Sequence, residues 1–231
     1  MATNPDQNPA TAAVPARPAE VAPDVSPVPQ NGCMGEDAIA EPRMRADARR
    51  NRERIIQAAK QVFSTSGSDA QMDEVAAAAG VGVGTVYRHF PNKDALIGEL
   101  VRQKFETIAD GLREAIARGG DPGEALLWSL ERNAEKLQDD LATQHVMSGD
   151  PRPAVWQMCA ANVTEVNTLA TQLIEGGVAS GTLRADMQVT DIRLVMGGIT
   201  STMADPATRP MWRRHLELML DALRAPGARA G

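Results

Sequence analysis

Apolar residues recur along most of the chain with the spacing of amphipathic helices. In the first such segment, residues 47–66, one side of the predicted helix carries Ile55, Ile56, Ala59, Val62 and Phe63. The only alternation typical of a strand, GVGVGTV at residues 80–86, is too short and its residues are too small to build one. The pattern therefore predicts an all-α protein.

Two shorter helices follow the first, separated by a glycine turn. The second covers residues 71–79 and should turn Val75, Ala76 and Ala79 inward. Gly80 suits the left-handed position that ends a helix, and a third helix over residues 82–90 should bury Val86 and Phe90. A helix, a tight turn and a short helix with a polar outer face form the helix-turn-helix arrangement.

The rest of the chain predicts a helical bundle. Pro91 ends the third helix, and Asn92 can cap the next. The predicted helices cover residues 93–117, 122–137 and 155–179, a segment capped by Thr190, and a last segment that starts at Pro210. Together these segments predict a C-terminal helical-bundle domain behind an N-terminal three-helix domain.

The glycines of AGVGVGTVYRHF, residues 79–90, could instead belong to a nucleotide-binding loop. A Walker loop needs Gly-Lys-Ser/Thr, but Thr85 and Val86 follow Gly84. A dinucleotide fingerprint needs a further glycine at position 85 and a strand before the glycines, and MDEVAAAAG at residues 72–80 favours a helix. The glycines are therefore interpreted as turn and cap positions.

Charge is divided unevenly along the chain, whose formal net charge is −6. Residues 43–104 carry 11 basic and 7 acidic side chains, whereas the segments on both sides are acidic. RMRADARRNRER, residues 43–54, holds six arginines at the start of a helix, where positive charge opposes the helix dipole. This block is typical of a DNA-binding module, and the arginines are predicted to contact phosphates.

Composition divides the chain further. Residues 1–42 hold eight of the fifteen prolines and few large apolar groups, so they are predicted to form a disordered Pro/Ala-rich tail. Residues 43–92 are the predicted helix-turn-helix domain, residues 93–225 the predicted ligand-binding and dimerisation domain, and residues 226–231 a second disordered tail. Two cysteines, no secretory signal and no transmembrane span favour the cytoplasm.

No enzyme motif is found. GxSxG, HExxH and paired carboxylate motifs are missing from the sequence, and three histidines are widely spread. We therefore expect no catalytic residues, no metal site and no cofactor.

RIIQAAKQVFSTSG and DEVAAAAGVGVGTVYRHFPNKDAL, within residues 49–105, resemble the N-terminal domain of the TetR family of bacterial transcriptional regulators. GTLRADMQVTDIRLVMGG and WRRHLELMLDALR are similar, more weakly, to late helices of the family's ligand-binding domain. The chain departs from the family pattern at Gln71 and Gly82, where Thr and Ser are common. The resemblance implies a homodimeric repressor that binds a palindromic double-stranded operator and leaves it when a small-molecule inducer binds to its C-terminal domain.

The resemblance also assigns DNA-binding residues. Val83, Gly84, Thr85 and Arg88 would face base edges in the major groove, and Tyr87, His89 and Lys93 would contact phosphates. Spacing agrees, because Thr85 and Arg88 share one face of a short helix and Arg88 can bind guanine with two hydrogen bonds. Arg49 and Gln71 complete the predicted DNA-binding set.

Ligand and dimer contacts are assigned to the C-terminal domain. The residues placed where family members build their pockets are Trp128, His145, Met147, Trp156, Cys159 and Val163; each could equally be a core residue. A dimer seam of two late helices, which could also simply close the core of one subunit, would use Ile192, Val195, Met196, Ile199, Leu216, Met219 and Leu220. The alternative function is a helical DNA-binding or interaction protein without a small-molecule ligand.

Overall fold

The computed structural model describes residues 37–137 and 152–227. In these two ranges the helices are α1 (Asp37–Ser66), α2 (Met72–Ala79), α3 (Val83–His89), α4 (Lys93–Arg118), α5 (Pro122–Leu137), α6 (Pro153–Met158), α7 (Ala160–Ala179), α8 (Val189–Ala204) and α9 (Trp212–Leu223). The described residues form no strand beyond one isolated bridge between Leu183 and Arg224. The predicted all-α class is confirmed.

Helices α2 and α3 meet in the predicted turn. Gly80 has a φ of 63°, and its N–H donates to the carbonyl of Ala77 while the N–H of Val81 donates to that of Ala76. Only glycine adopts this left-handed backbone without a Cβ penalty, so α2 ends here and the chain reverses into α3. Val86 and Phe90 are buried as predicted.

Helix α1 begins at Asp37, well before the predicted start at Asp47. The predicted tail, residues 1–42, therefore overlaps the start of α1 at residues 37–42. The alanines and glutamate of DAIAE favour a helix, and an aspartate at its first position complements the helix dipole. The rest of the predicted tail, residues 1–36, lies outside the described residues, as do residues 228–231.

The core beneath the helix-turn-helix includes residues from beyond it. Ile55 and Phe63 of α1 and Val75 of α2 pack with Leu96, Ile97, Leu100 and Val101 of α4. Val155 of α6 and Cys159 belong to the same cluster. Residues from Pro42 onward accordingly form one compact unit.

Helix α4 extends into the C-terminal bundle, where it packs against α5 and α7. Asn92 caps it as predicted, its Oδ1 accepting from the N–H of Ala95 at 2.8 Å. Helices α5 and α7 approach so closely that a Cβ at Gly177 would lie 2.6 Å from the Cα of Gly123. Glycine at position 177 therefore permits backbone-to-backbone packing of α5 and α7.

Three boundaries in the second half differ from the prediction. The predicted helix 155–179 is broken at Cys159 (φ −97°, ψ 2°), which turns into the N-terminal core and separates α6 from α7. Helix α8 is capped by Gln188, not Thr190, since the Gln188 N–H donates to Asp191 Oδ2 at 2.8 Å. Before α9, a 3-10 turn covers Arg209–Met211.

Among the described residues, no helix is long and apolar enough to cross a membrane.

Candidate DNA-binding surface and ligand cavity

Helix α3 presents its polar face away from the core. With Val86 buried on the inner side, Val83, Gly84, Tyr87 and Arg88 are exposed, Tyr87 by 45%. Thr85 and His89 are half-buried at the edges of this face. All six α3 residues of the predicted DNA-binding set therefore lie on one short helix, and four of them are exposed.

Gly84 lies in the middle of that face. A Cβ at this position would meet no protein atom within 4 Å, so packing inside the chain does not require glycine there. The lack of a side chain leaves the backbone of α3 uncovered. An external surface can therefore approach α3 more closely at Gly84 than at any position with a side chain.

Gln71 stands at the exposed start of α2. Its N–H donates to Glu74 Oε2 at 2.9 Å, and its Nε2 donates to the carbonyl of Asp69 at 2.6 Å. The side chain therefore helps to fix the first turn of α2. Its exposed position is compatible with the predicted DNA contact, as is that of Arg49 on α1.

The arginine cluster of α1 divides into two groups. Arg49, Arg50 and Arg54 are exposed and Arg52 is half-buried, but Arg52 and Arg54 each make a specific contact within the protein. Arg54 Nη2 donates to the carbonyl of Ala79 at 2.7 Å and so caps α2, while Arg52 lies over the Phe90 ring. Each of these two has a specific acceptor or ring within the protein that the linear sequence does not reveal. Phosphate contact by the cluster stays a prediction.

Glu99 of α4 anchors Arg52. The carboxylate, only 8% exposed, contacts Arg52 Nη2 at 2.9 Å and Arg102 Nη2 at 2.7 Å, and accepts a hydrogen bond from Gln103. Burial by itself raises the pKa of Glu99, but hydrogen bonds from Arg102, Arg52 and Gln103 outweigh it and lower the pKa to about 2. An ionised carboxylate therefore ties α1 to α4.

Lys93 is half-buried at the start of α4. Its Nζ lies 5.9 Å from the centroid of the Phe63 ring. Burial, and then the positive charge of Arg152, lower the pKa of Lys93. Its ammonium is thus less solvated than that of a fully exposed lysine.

Helix α6 and the residue before it pack against the first half of α4. Arg152, just before α6, contacts Asp94 at 2.6 Å, and the Trp156 ring meets the edge of Phe105 at 6.2 Å between centroids. Met158 lies directly over Gly98, where a Cβ would be 2.8 Å from its Cε. These contacts join α6 to α4, the helix that follows the helix-turn-helix.

A cavity of about 570 Å³ lies between α4, α5, α7 and α8. Its walls are mostly apolar, with Phe105, Ile108 and Leu112 on α4 and Leu130 and Leu137 on α5. Of the predicted ligand residues, Trp156 and Val163 line it. This volume falls in the range of small-molecule sites.

Two other predicted ligand residues lie elsewhere. Trp128 packs on another face of α5, where the guanidinium carbons of Arg118 and Arg132 lie 4.3 and 5.2 Å from its ring centroid. Cys159 is buried in the N-terminal core with its Sγ 3.5 Å from the carbonyl of Gly98, and burial raises its thiol pKa. His145 and Met147 lie outside the described residues.

The predicted dimer residues mostly face their own chain. Val195, Ile199 and Leu216 are buried in it, and Met219 and Leu220 are half-buried. Ile192 and Met196, which are also half-buried, line the cavity. These three buried residues help to close the core of their own chain and so leave little surface for a second subunit, and the seam stays a prediction.

The exposed apolar residues of the late helices are different ones. Leu194 of α8 is 74% exposed and Leu218 of α9 is 47% exposed, and Met211 is exposed just before α9. Sequence periodicity missed them because they stand outside the dominant stripes. Exposed leucines on neighbouring helices indicate an interaction surface, but they can be recognised only when the structure shows which face of each helix is buried.

Lys104 is one of the cavity residues that the sequence did not predict. It precedes Ile108 by four residues and Leu112 by eight, so it stands within the apolar stripe of α4. A lysine at an apolar position of the helix was the sequence feature that could have indicated its role. In the structure it is only 8% exposed and lines the cavity.

The comparisons with known proteins agree with this architecture. Residues 55–100 match the family model of bacterial regulatory proteins, tetR family. The HTH-type transcriptional repressor KstR2 of Rhodococcus jostii is 24% identical over 190 residues, which cover 76% of this chain and 92% of the relative. KstR of Mycolicibacterium smegmatis is 37% identical over 102 residues, covering 43% of this chain and half of that protein.

Among solved structures, the TetR transcription regulatory protein of Mycobacterium vanbaalenii is 29% identical to this chain. The superposition has a TM-score of 0.53 and covers 79% of this chain and 99% of that one. It therefore extends through the helix-turn-helix and the C-terminal helices alike. On the family match, these relatives and the shared fold, the chain belongs to the TetR family of bacterial transcriptional regulators.

Proposed function

We propose that the protein is a transcriptional repressor that binds a palindromic operator as a homodimer in the cytoplasm and leaves it when a small molecule occupies the cavity. The exposed face of α3 carries the proposal. Arg88 and Gly84 stand there on a helix fixed from behind by Val86 and Phe90. A rigid short helix with a bare central backbone suits insertion into the major groove.

Within this proposal the α3 residues have separate roles. Arg88 binds a guanine edge, and Thr85 offers a hydroxyl or methyl to a neighbouring base. Val83 and Gly84 complete the base-facing surface. Tyr87, His89 and Lys93 contact phosphates, which position the helix without specifying sequence.

Arg49 and Gln71 extend the phosphate contacts to α1 and to the start of α2. Both are exposed. Arg52 and Arg54 support the same surface indirectly, by fixing α1 on α4 and by closing α2. Our proposal assigns direct contact to Arg49, one of the exposed arginines of α1.

Ligand control follows from the contacts of α6. Trp156 lines the cavity on one side and contacts Phe105 of α4, while Met158 covers Gly98. A ligand that repositions Trp156 displaces α6 and therefore α4. Release of DNA then requires only that the ligand bind this displaced state better than the DNA-bound state.

Dimerisation is assigned to the outward faces of α8 and α9, around Leu194 and Leu218. Two subunits joined there would present their α3 helices to successive major grooves, about 34–36 Å apart on one side of the DNA. Such a dimer adds the binding energies of two half-sites, each of which binds weakly alone.

The test starts from random duplex DNA, since selection by the purified protein needs no prior operator. We expect enrichment of a sequence with two-fold symmetry. Arg88→Ala should then weaken binding to it by about 1–3 kcal/mol and relax one base preference per half-site. The control Arg132→Ala, on α5 away from α3, should bind normally.

Two results would contradict the proposal. Failure to enrich any sequence would remove operator recognition altogether. Equal losses for Arg88→Ala across the selected operator and unrelated DNA would show that this arginine contacts phosphates and not bases.

A further inference from the structure

The charge on the cavity wall has one sign. Among the described residues that line the cavity, two are ionisable, Lys104 and Arg193, and both are cationic. The remaining described lining residues are apolar or neutral polar, and none of them is an aspartate or glutamate. An apolar cavity with this lining attracts a negative charge and repels a positive one.

The two cations occupy different depths. Arg193 is exposed on α8 and so lies at the rim, whereas Lys104 is only 8% exposed. Lys104 precedes Leu112 by eight residues, or about 12 Å along α4. The cavity therefore has a cationic region around Lys104 and an apolar region that extends along the helix to Leu112.

Asn133 adds a polar group to the cavity lining from a different helix. It lines the cavity from α5, and its Oδ1 is buried without a hydrogen-bond partner in the described part of the chain. Buried amide oxygens in proteins nearly always have a partner. Rotation of the amide can offer either its oxygen or its nitrogen, so Asn133 can bind a hydroxyl or a carboxylate in the same cavity.

We propose that the cavity binds an elongated apolar molecule with an anionic group, and that Lys104 binds the anion. This inference rests on the proposed function, because it assigns a chemical class to the ligand of that cavity. Ion pairing in a site shielded from water is stronger than at the surface. Since Lys104 belongs to α4, the anion acts directly on the helix that carries the DNA-binding surface.

The experiment measures displacement of N-phenyl-1-naphthylamine, a neutral fluorophore that reports on apolar cavities without depending on charge. Three ten-carbon competitors are compared: decanoate, 1-decanol and decylammonium. The full-length wild-type protein should bind decanoate about tenfold or more tightly than 1-decanol, and decylammonium most weakly. Decanoate should also release the selected operator at lower concentration than 1-decanol.

Variants assign the preference to one side chain. Lys104→Met should remove the preference for decanoate and leave the affinity for 1-decanol within about twofold. Lys104→Arg retains the charge and should retain the preference. Lys136→Met, at an exposed lysine on α5 outside the cavity lining, should behave like wild type.

The outcomes separate this inference from the function on which it rests. If the fluorophore fails to bind, or if Val163→Trp does not weaken its binding, the cavity is not a ligand site. That result would contradict both the ligand control under the proposed function and the anionic ligand class. If the fluorophore binds but 1-decanol equals or exceeds decanoate in wild type, only the anionic class is overturned. The same holds if Lys104→Met folds and keeps the preference.

Discussion

Neutralising Glu99 should weaken the attachment of α1 to α4 at a cost that can be worked out from its pKa. The carboxyl has an ordinary pKa of 4.5 and a folded-state pKa of about 2. That difference corresponds to roughly 3 kcal/mol of stabilisation when the group is ionised. Glu99→Gln should therefore lower the free energy of unfolding at pH 7 by about 3 kcal/mol, since Arg52 and Arg102 lose their common anion.

The pH dependence has a definite sign. A carboxylate whose folded-state pKa lies below its unfolded value stabilises the fold fully above pH 4.5 and loses that effect as pH falls toward 2. The difference in free energy of unfolding between wild type and Glu99→Gln should thus be constant from pH 7 to about pH 5.5. At pH 3.5 this difference should be smaller.

Urea unfolding at fixed protein concentration measures both effects, because dimerisation would otherwise change the apparent stability. Glu106→Gln is the matched control: it also removes a carboxylate that contacts Arg102, but one that is half exposed. It should cost less than about 1 kcal/mol. Equal losses for the two variants, or a Glu99→Gln difference that is the same at pH 7 and 3.5, would refute this account of the α1–α4 contact.

Three further predictions concern glycines and the dimer surface. Gly80→Ala should destabilise the fold by about 1–2 kcal/mol in thermal or urea unfolding, because position 80 has a positive φ. Gly84→Ala should stabilise the fold by about 0.5–1 kcal/mol, because position 84 lies in a helix and is open to solvent. The reverse order of stabilities would contradict this backbone argument. Gly177→Ala should cost more than about 2 kcal/mol in the same assay, since its Cβ would overlap the α5 backbone, and a neutral effect would show that α5 and α7 separate easily. Leu194→Glu combined with Leu218→Glu should give a folded monomer in ultracentrifugation that no longer shifts operator DNA, while a dimer that binds normally would place the interface elsewhere.

The helix-turn-helix could be predicted because each of its signals is local. Gly80, Asn92 and the pair Val86 and Phe90 act within one or two turns of their own positions, so spacing alone indicates what they do. The resemblance to a known family supplied the DNA-facing residues of α3, and the structure is consistent with their exposure.

Long-range partners were not predictable in the same way. A long cationic side chain can reach in several directions, so the sequence could not show that Arg52 binds Glu99 or that Lys104 points into a cavity. The stripe with Ile192 and Met196 was identified correctly as apolar, but periodicity does not say whether a cavity, a core or a second subunit covers it. The break at Cys159 depends on its packing in a core some sixty residues away in sequence.

The core shared between the helix-turn-helix and the bundle limits how regulators of this kind can be recombined. A transplant that cuts after Asn92 would carry Phe63 and Val75 into the new protein without Leu96, Ile97 and Leu100, and without Val155. The donor half would then expose its apolar interior, and the recipient's own α4 would have to fit a foreign surface. A functional chimera should instead take the chain through Val101 and include α6 as well, so operator specificity in this architecture is portable only together with part of the ligand-sensing domain.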